Sequence, residues 1–497
     1  MSLTAHYVDF DWVLYKRMLN FCVILNHKGE TIGKVIESCL HEWGIGSVCT
    51  ITVDNASAND TAISYLKRKL SGWDSGCVFY GNYLHMRCCA HIINLIVSKG
   101  LREAHDSIVS IRNAVKYVRS SPSRMQRFKE CASREKIDCK SLVFLDVPTR
   151  WNSTYLMLEA SLKFKKAFER LEEEDVQYLT YFREDDCGKR RGGPPSFLDW
   201  ENASVFVRFL KSFYDVTLKF SSSLYISSNV YLHEVSSIQT QLDEWSLSGD
   251  SLLGEMTTKM KKKFDKYWGM MDNVNQFLLI ASVLDPRYKL DYVQYCFEDI
   301  YHDEEVASNM TKSLKNNLMS IYDWYVGCEA TLEINQVSIG HGNSENFSSG
   351  LTFEKEGSSS TITSTRISNF KKKQKEKNLV EIKNDVERYL LDACEDIEDK
   401  DFDILNWWRV NGSKYGILCK LARDVFAIQV STVASESAFS MGGRILDPFR
   451  SSLSPRMVEV LVCTQNWLKA SSDMDRFFIE DVEYYEKLDA GNITISM

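Results

Sequence analysis

Apolar and polar positions near the start of the chain follow a pattern that predicts strands before helices. Ser2 to Ile24 carries apolar and aromatic residues at alternate positions, which predicts two strands joined by a tight connection. Asn26 to Gly29 has turn chemistry, and Thr31 to Trp43 places its apolar residues on one helical face. The run Val48 to Val53 is rich in β-branched residues and predicts a buried strand. This order of elements is typical of the beginning of an α/β sheet.

Asp54 follows the last of these strands directly. Open α/β sheets carry their chemistry at the carboxyl ends of strands, so Asp54 is a candidate site residue. The alternative is that Asp54 only begins a turn, since an Asp-Asn pair is common in turns. The next helix is predicted from Thr61 to Leu70, with Asn59 or Asp60 as its N-terminal cap.

The pattern that follows is mostly helical. Leu142 to Asp146 predicts one further short strand, and Thr149 or Asn152 is the predicted cap of the helix after it. Residues 172–333 then show helical periodicity, interrupted once by a polar loop.

A change of composition separates the last part of the chain. Residues 335–378 are rich in Ser, Gly, Thr and Asn and have no hydrophobic period, which predicts a flexible linker. The linker ends in the basic run Lys371 to Lys377, a candidate nuclear-import signal or phosphate-contacting arm, or a solvated linker end. A helical lobe at 379–470 and an acidic tail at 471–497 complete the chain.

Composition narrows the functional class. The chain has 497 residues and a net charge of −8, which argues against a wholly basic nucleic-acid binder but allows a local basic surface. Its 14 Cys are scattered without a framework and indicate reduced intracellular thiols. No apolar run reaches the roughly 18 residues that a membrane-spanning helix needs, so no membrane partner is expected.

Two local motifs carry candidate chemistry. Cys88 and His91 have a Cys-x-x-His spacing that can place two ligands on one metal ion. A structural zinc site needs about four ligands, and a buried Cys beside a hydrogen-bonded His is the simpler interpretation. Arg150 beside Trp151 pairs a cation with a stacking ring, which suits nucleic acid and equally suits cation–π packing inside the fold.

The C-terminal lobe has more large apolar side chains than so short a segment can bury alone. We therefore predict that some of them close the core of this chain and that the rest form a self-association surface. Glu436 stands among Ala, Ser and Phe near a predicted helix start, where a carboxylate is either a cap or a site residue. The candidate self-association residues are Trp407, Trp408, Leu418, Phe426, Leu461 and Trp467.

An ordered set of motifs resembles the hAT transposase superfamily, and most closely its RICESLEEPER-type plant members. The motifs are Thr52 to Asp60, Cys88 with His91, Thr149 to Thr154, Leu284 to Lys289, and Ser435 to Trp467. The resemblance covers nearly the whole chain. It implies an α/β plus α fold, with a ribonuclease-H-like core at 1–150, a large all-α insertion at 151–334 and a C-terminal dimerisation region at 379–470.

The resemblance also assigns site residues. In the family, divalent metal ions held by two Asp and one Glu support DNA strand cleavage and transfer. The second Asp corresponds to Asp54 and the Glu to Glu436, which implies that these carboxylates lie within a few ångströms of each other. Cys88 and His91 are expected near the DNA, and Trp151 is the candidate for handling flipped-out bases.

Two family features have no counterpart in this sequence. The first catalytic Asp would lie on a strand before the segment that resembles Leu3 to Tyr7, where this chain begins, and Asp9 and Asp11 are poor substitutes. A Cys/His quartet with the spacing of a BED zinc finger does not occur before residue 50. We therefore expect a transposase-derived, DNA-binding, dimerising nuclear protein without transposition activity. Mg²⁺ or Mn²⁺ would not be firmly bound and would matter only if activity is retained.

Two alternatives to this expectation stay open. The first is an active or truncated transposase that cleaves and joins DNA with metal ions. The second is a dimerisation module with no role on DNA.

Overall fold

The computed structural model describes residues 1–73, 76–102, 105–138, 142–183, 185–186, 189–190, 193–222, 225–247, 249, 251–339, 384–446 and 453–469. The predicted linker from residue 340 onward, its basic run Lys371 to Lys377 and the acidic tail 471–497 lie outside these residues. Within the described ranges, no helix is both long and apolar enough to cross a membrane.

The chain begins with a β-hairpin, as the alternation of apolar residues predicts. Strand β1 (Ser2–Val8) pairs antiparallel with β2 (Leu14–Phe21). Asp9 holds the connection, because its Oδ1 accepts the backbone N–H groups of Asp11 at 3.0 Å and Val13 at 2.9 Å. The side chain of Asp9 is therefore engaged by the turn.

A second pair of strands is parallel. Strand β3 (Ile51–Val53) pairs with β4 (His85–Arg87). The predicted strand from Val48 is longer than the observed one, because Val48 makes only an isolated bridge, with Cys77.

Helices α1 (Gly29–Glu42) and α2 (Ser57–Leu70) pack against each other next to this pair. Helix α2 begins before the predicted Thr61. The prediction that Asn59 or Asp60 caps it is wrong, since both residues lie in its first turn. These two helices share a small apolar core formed by Ile36, Leu40, Ile63, Tyr65, Leu66, Leu70 and Leu84.

The described regular structure from residue 89 to residue 339 is helical, apart from the two short strands β5 (Asp185–Asp186) and β6 (Lys189–Arg190). The last of these helices runs to Ile339, so the chain is still helical where the linker is predicted to begin. The helices are α3 (Cys89–Leu101), α4 (His105–Arg119), α5 (Pro122–Arg134), α6 (Trp151–Lys163), α7 (Lys165–Glu174), α8 (Val176–Arg183), α9 (Phe197–Ser221), α10 (Tyr231–Ser246), α11 (Ser251–Trp268), α12 (Gln276–Val283), α13 (Lys289–Tyr301) and α14 (Glu304–Ile339).

The strand predicted at Leu142 to Asp146 is wrong, because side chains rather than a neighbouring strand hold this segment. Arg112 donates to both carboxylate oxygens of Asp146 at 2.7 Å, and the hydroxyl of Thr154 donates to Oδ2 at 2.6 Å. The segment is therefore attached to α4 and α6 through one buried carboxylate.

The start of α6 also differs from the prediction. The helix begins at Trp151, so neither Thr149 nor Asn152 is its cap. The hydroxyl of Ser153 instead accepts the backbone N–H of Val147 at 2.7 Å, which fixes the chain just before the helix.

The C-terminal lobe completes the core of the chain. Its packing joins the apolar side chains of α12 to those of the helix Gly416–Phe426 in one continuous cluster. Trp408 is an example, because it is fully buried and its Nε1 donates to the carbonyl of Leu284 at 3.1 Å. The helices of this lobe are α15 (Asp385–Leu391), α16 (Ile404–Asn411), α17 (Gly416–Phe426), α18 (Val433–Ile445) and α19 (Pro455–Lys469).

The described strands form three separate two-stranded sheets, where the resemblance implies one ribonuclease-H-like sheet. Strand β1 is hydrogen-bonded to β2, and β3 to β4, but β1 and β3 are not hydrogen-bonded to each other. A cavity lies between them. The single sheet is therefore not formed within the described residues, because no strand bridges the two pairs.

Candidate functional site

The space between the hairpin and β3, called the β1–β3 cavity below, has a volume of about 620 Å³. Asp54, which directly follows β3, and Glu436, in the first turn of α18, both line it. The fold thus brings two carboxylates from opposite ends of the sequence to one cavity.

Asp54 has a structural role as well as a place at the cavity. Its Oδ1 accepts the backbone N–H of Ala56 at 2.8 Å and the side-chain amide of Asn59 at 2.7 Å. Asp54 therefore does begin the turn into α2, as the simpler interpretation of the sequence held. The carboxylate remains half-buried, with one oxygen engaged by its own loop.

Glu436 is connected to Cys88 through Thr432. The hydroxyl of Thr432 lies 2.8 Å from Glu436 Oε1 and 3.3 Å from Cys88 Sγ, and the backbone N–H of Thr432 donates to the same sulfur at 3.3 Å. The single hydroxyl hydrogen can serve only one acceptor, and an ionised carboxylate is the stronger one. Cys88 and Thr432 together therefore fix the start of α18 against the start of α3.

Cys88 and His91 form a helix cap rather than a metal pair. Cys88 precedes α3, and its sulfur accepts the backbone N–H of His91 at 3.4 Å. Burial raises the pKa of the Cys88 thiol, so the sulfur keeps its proton at neutral pH. Among the described residues, no three His, Cys, Asp or Glu side chains converge to hold a metal ion.

Two further titratable side chains of the cavity were not identified from the sequence. Burial and the nearby charge of Lys16 lower the pKa of His6 to about 3. Burial raises the pKa of Asp424, whose Oδ2 accepts the hydroxyl of Tyr325 at 2.6 Å. Both lie in stretches without a recognisable motif, so only the fold reveals their place.

Arg87 is a second functional candidate that sequence patterns did not single out. It lies on β4 in register with Val53, the residue before Asp54. Its guanidinium donates to Asn55 at 3.2 Å and to Asp60 at 2.9 Å, and it is 41% exposed. The signal in the sequence was only a cation on a short strand that leads into the Cys88 motif. Its position places an accessible cation beside the turn that holds Asp54.

The predicted stacking role of Trp151 is wrong in this fold. Trp151 is 3% exposed. It is the first residue of α6, and its ring packs near that of Tyr155. A base needs an open ring face to stack on, and this ring has none. Arg150 is exposed and stays a candidate for contact with DNA.

The predicted self-association residues divide into two groups. Trp408, Leu418 and Phe426 are fully buried within this chain, so they belong to the part of the set that closes its core and do not form an exposed partner surface. Trp407 is half-buried and its Nε1 donates to Glu395 at 2.8 Å. Trp408, Leu418 and Phe426 belong to the main core of the chain, and the hydrogen bond and ring stacking of Trp407 lie within the C-terminal lobe.

The other two candidates lie on α19, where an apolar face is open. Leu461 and Trp467 are each 40% exposed. Met457, Val460 and Leu468 are also exposed on this helix. We call these five residues the α19 face.

Four protein-family models match successive parts of the chain. Residues 1–77 match the model of the ZBED1 RNase-like domain, and residues 86–189 match that of the ZBED1 RNase-like helical domain. Residues 229–325 match the hAT-like transposase, RNase-H fold. Residues 385–468 match the hAT family C-terminal dimerisation region.

Several plant proteins are similar over nearly all of this chain. A Zea mays protein named as an AC transposase is 31% identical over 99% of the chain and 57% of its own length. The zinc finger BED domain-containing protein RICESLEEPER 2 of Oryza sativa subsp. japonica is 33% identical over 94% of the chain and 63% of its own length. RICESLEEPER 4 of the same plant is 30% identical over 95% of the chain and 68% of its own length. The chain thus spans less than two thirds of the first two relatives.

Proposed function

Because the chain belongs to the hAT family, we propose that it is a transposase-derived nuclear protein that binds DNA and self-associates. The observation that carries this proposal is that Asp54 and Glu436 line one cavity, and that Arg87 is in register with the residue before Asp54. The resemblance described above assigns Asp54 and Glu436 to two of the family's metal-holding positions, and the cavity that both residues line supports this proposal.

Arg87 is the proposed contact with the DNA backbone. A planar guanidinium suits phosphate oxygens, and such contacts supply most of the affinity of sequence-independent binding. The present partner of Arg87 is Asp60, and both side chains are well exposed. Exposed pairs of this kind contribute little stability, so a phosphate can replace Asp60 at small cost. His91 and Arg150 are further proposed contacts.

Electrophoretic mobility shift with duplex DNA over a salt series tests the proposal. Wild-type protein should bind, with an affinity that falls steeply as salt rises. Arg87→Gln should weaken binding and reduce the salt slope by about one. The matched control is Arg134→Gln, because Arg134 is also exposed and paired with a carboxylate, that of Glu174, but lies on α5. An affinity that does not change with salt concentration, or an equal loss of affinity in the two variants, would contradict the proposal. Either result would favour a dimerisation module with no role on DNA.

The donor set at the cavity does not fit a firmly held divalent ion. Two-metal chemistry needs several carboxylates that clamp both ions. Here one oxygen of Asp54 is engaged by its own loop, and Oε1 of Glu436 takes the hydroxyl of Thr432. We therefore propose no metal-dependent step for the chain of 497 residues.

Self-association is proposed to use the α19 face. Leu461 and Trp467 are central to it, and the face lies within the match to the dimerisation region. Aromatic and aliphatic anchors of this kind dominate interface energetics when a partner covers them. Trp467 is already oriented for this role, because its Nε1 donates to the carbonyl of Met18 at 2.8 Å and holds the ring against the hairpin.

Nuclear localisation is proposed from the family and from the basic run Lys371 to Lys377. A fluorescent fusion of the whole chain should accumulate in nuclei, and replacing the lysines of this run by Gln should reduce that accumulation. Equal distribution of both fusions between nucleus and cytoplasm would contradict the proposal.

A further inference from the structure

A second cavity lies at the turn of the hairpin, where the turn meets the helical region and the C-terminal lobe. It is lined by residues 11–14 of the hairpin, by residues from the segments 225–230 and 402–409, and by Arg287, and we call it the Arg287 cavity. Its volume is about 700 Å³, within the range of about 300–1,000 Å³ that is usual for small-molecule sites. None of its described lining residues belongs to the β1–β3 cavity, so the two spaces are separate.

The motif Leu284 to Lys289 builds one wall of the Arg287 cavity. Asp285 is fully buried, and Arg287 donates to it through Nε at 3.0 Å and through Nη2 at 2.8 Å. The side chain of Arg287 is 16% exposed. Because Asp285 uses Nε and Nη2, the N–H groups of Nη1 stay available to another acceptor. The motif therefore fixes a guanidinium in the wall that still has donors to offer.

Asn229 brings a complementary group to the same wall. It is 5% exposed, and its Nδ2 donates at 2.9 Å to Oδ2 of Asp285, the oxygen that Arg287 also binds. An ionised carboxylate only accepts hydrogen bonds, so the amide oxygen of Asn229 points away from Asp285. This Oδ1 atom is buried and has no hydrogen-bond partner among the described residues, which costs about 1–3 kcal/mol. An acceptor that needs a donor thus lies next to a cation that has donors to spare.

Aromatic rings form other parts of the lining. The guanidinium of Arg287 lies 4.7 Å from the ring centre of Phe402. Trp12 is 6% exposed and is held in place by stacking on Trp408, with ring centres 6.0 Å apart. Tyr225 is 64% exposed, so its ring is open to a ligand. Such rings favour a planar ligand, since stacking of a base on an aromatic side chain contributes about 1–3 kcal/mol.

The charges of the lining balance one another. The charged lining residues are Asp11, Asp403, Arg287 and Arg409. Asp403 is engaged by the start of α16, because its Oδ1 accepts two backbone N–H groups there, and Arg287 is neutralised by Asp285. A highly charged ligand would lose its hydration without a matching counter-charge. The cavity therefore suits an uncharged planar ligand.

We propose that the Arg287 cavity binds the base of a free purine nucleoside. A purine carries a hydrogen-bond donor and an acceptor side by side at C6 and N1, and these match Oδ1 of Asn229 and Nη1 of Arg287. A two-ring base fits the volume and buries more apolar surface than a one-ring base. The sugar lies at the open rim, where the exposed side chains of Asp11, Asn406 and Arg409 can bond its hydroxyl groups.

Isothermal titration calorimetry of the full-length chain with adenosine and with inosine tests this proposal. The two nucleosides present the donor and the acceptor in opposite order, so one of them should bind at a single site and at least about tenfold more tightly than the other. Methylating the donor nitrogen of the tighter nucleoside should weaken binding by a similar factor. Failure of both nucleosides to bind, or equal binding of the methylated one, would overturn the proposal.

Two variants assign the contacts to this cavity. Tyr225→Ala should weaken binding at least about fivefold, because a stacking ring is lost. The matched control is Tyr295→Ala, since Tyr295 is 56% exposed and lies on α13, outside the lining. Asn229→Ala should make the methylated and the parent nucleoside bind alike. Equal affinities of the two tyrosine variants, or an unchanged preference in Asn229→Ala, would overturn the assignment of the site.

Photochemical labelling locates the nucleoside on the chain. The 8-azido derivative of the tighter nucleoside, after irradiation, should modify peptides that contain residues 225–230 or 402–409. An excess of the parent nucleoside should prevent this labelling. Labelling of other peptides to the same extent would overturn the proposal.

A base can also come from single-stranded nucleic acid, and phosphate groups separate the two sources. The 5′-monophosphate should bind no more tightly than the parent nucleoside, and the affinity of the nucleoside should not change with salt concentration. An oligonucleotide that displaces the nucleoside at a lower concentration, with a steep salt dependence, would identify nucleic acid as the ligand and overturn the proposal. The titration with nucleosides contains no DNA, so its outcome does not depend on the proposed function.

Discussion

Asp146 is the residue whose removal should most clearly show what the Thr149 to Thr154 motif does. Its side chain is 0% exposed and receives three short hydrogen bonds, two from Arg112 and one from Thr154. Asp146→Ala would leave the guanidinium of Arg112, which is only 22% exposed, without its anion. Breaking a buried ion pair from one side costs about 3–5 kcal/mol, and the partial exposure of Arg112 puts the expected loss at about 3 kcal/mol.

Denaturant titration followed by tryptophan fluorescence measures this loss as a change in the free energy of unfolding. The double variant Asp146→Leu with Arg112→Met should recover most of it, because replacing both charges by apolar groups removes the unpaired cation. The control is Glu30→Ala, since the pair of Glu30 with Lys34 is exposed and its loss should not be measurable. A double variant as unstable as Asp146→Ala would refute the reasoning from an unpaired cation. Equal stability of Asp146→Ala and Glu30→Ala would refute the structural role itself.

Three further predictions concern association, chemistry and pH. Leu461→Asp should convert a dimer into a monomer by light scattering, because it places a charge at the centre of the α19 face, whereas Val410→Asp, at an exposed residue of α16, should not. With Mg²⁺ or Mn²⁺ the chain should leave duplex DNA intact on a sequencing gel, and cleavage that disappears in Asp54→Ala would contradict this. As pH falls from 6.5 to about 3, the free energy of unfolding should fall by up to about 1.4 kcal/mol for each pH unit. In this range His6 binds a proton in the unfolded chain, whereas its buried ring in the folded protein stays neutral. The stability is fully present above pH 6.5, and His6→Gln should lack this part of the slope.

The helical region shows why burial could not be predicted from local motifs. Arg150 and Trp151 are neighbours in sequence, yet one is exposed and the other is buried at the start of α6. Which residues of α6 are buried depends on α9 and the other helices that pack against α6. A pair of adjacent residues therefore indicates chemistry but does not determine which side chain meets solvent.

The C-terminal lobe also shows that local sequence does not determine which apolar side chains are buried. Its excess of apolar side chains correctly indicated that it packs on something larger than itself. Trp408 and Phe426 meet the helical region of this chain, whereas Leu461 remains open on α19. Periodicity gives the apolar face of a helix, but the surface that covers that face comes from residues far away in sequence.

Neighbouring residues along the sequence were enough to predict the hairpin and the family resemblance. Alternation predicted the hairpin because strand periodicity is a property of neighbouring residues, and an ordered set of motifs identified the hAT resemblance around Asp54 and Glu436. The folded chain was needed to show that these two carboxylates line one cavity and that β1 and β3 are not hydrogen-bonded to each other. Both results depend on how segments from opposite ends of the chain pack together, because a strand's outer edge and a helix's first turn acquire neighbours only when the chain has folded.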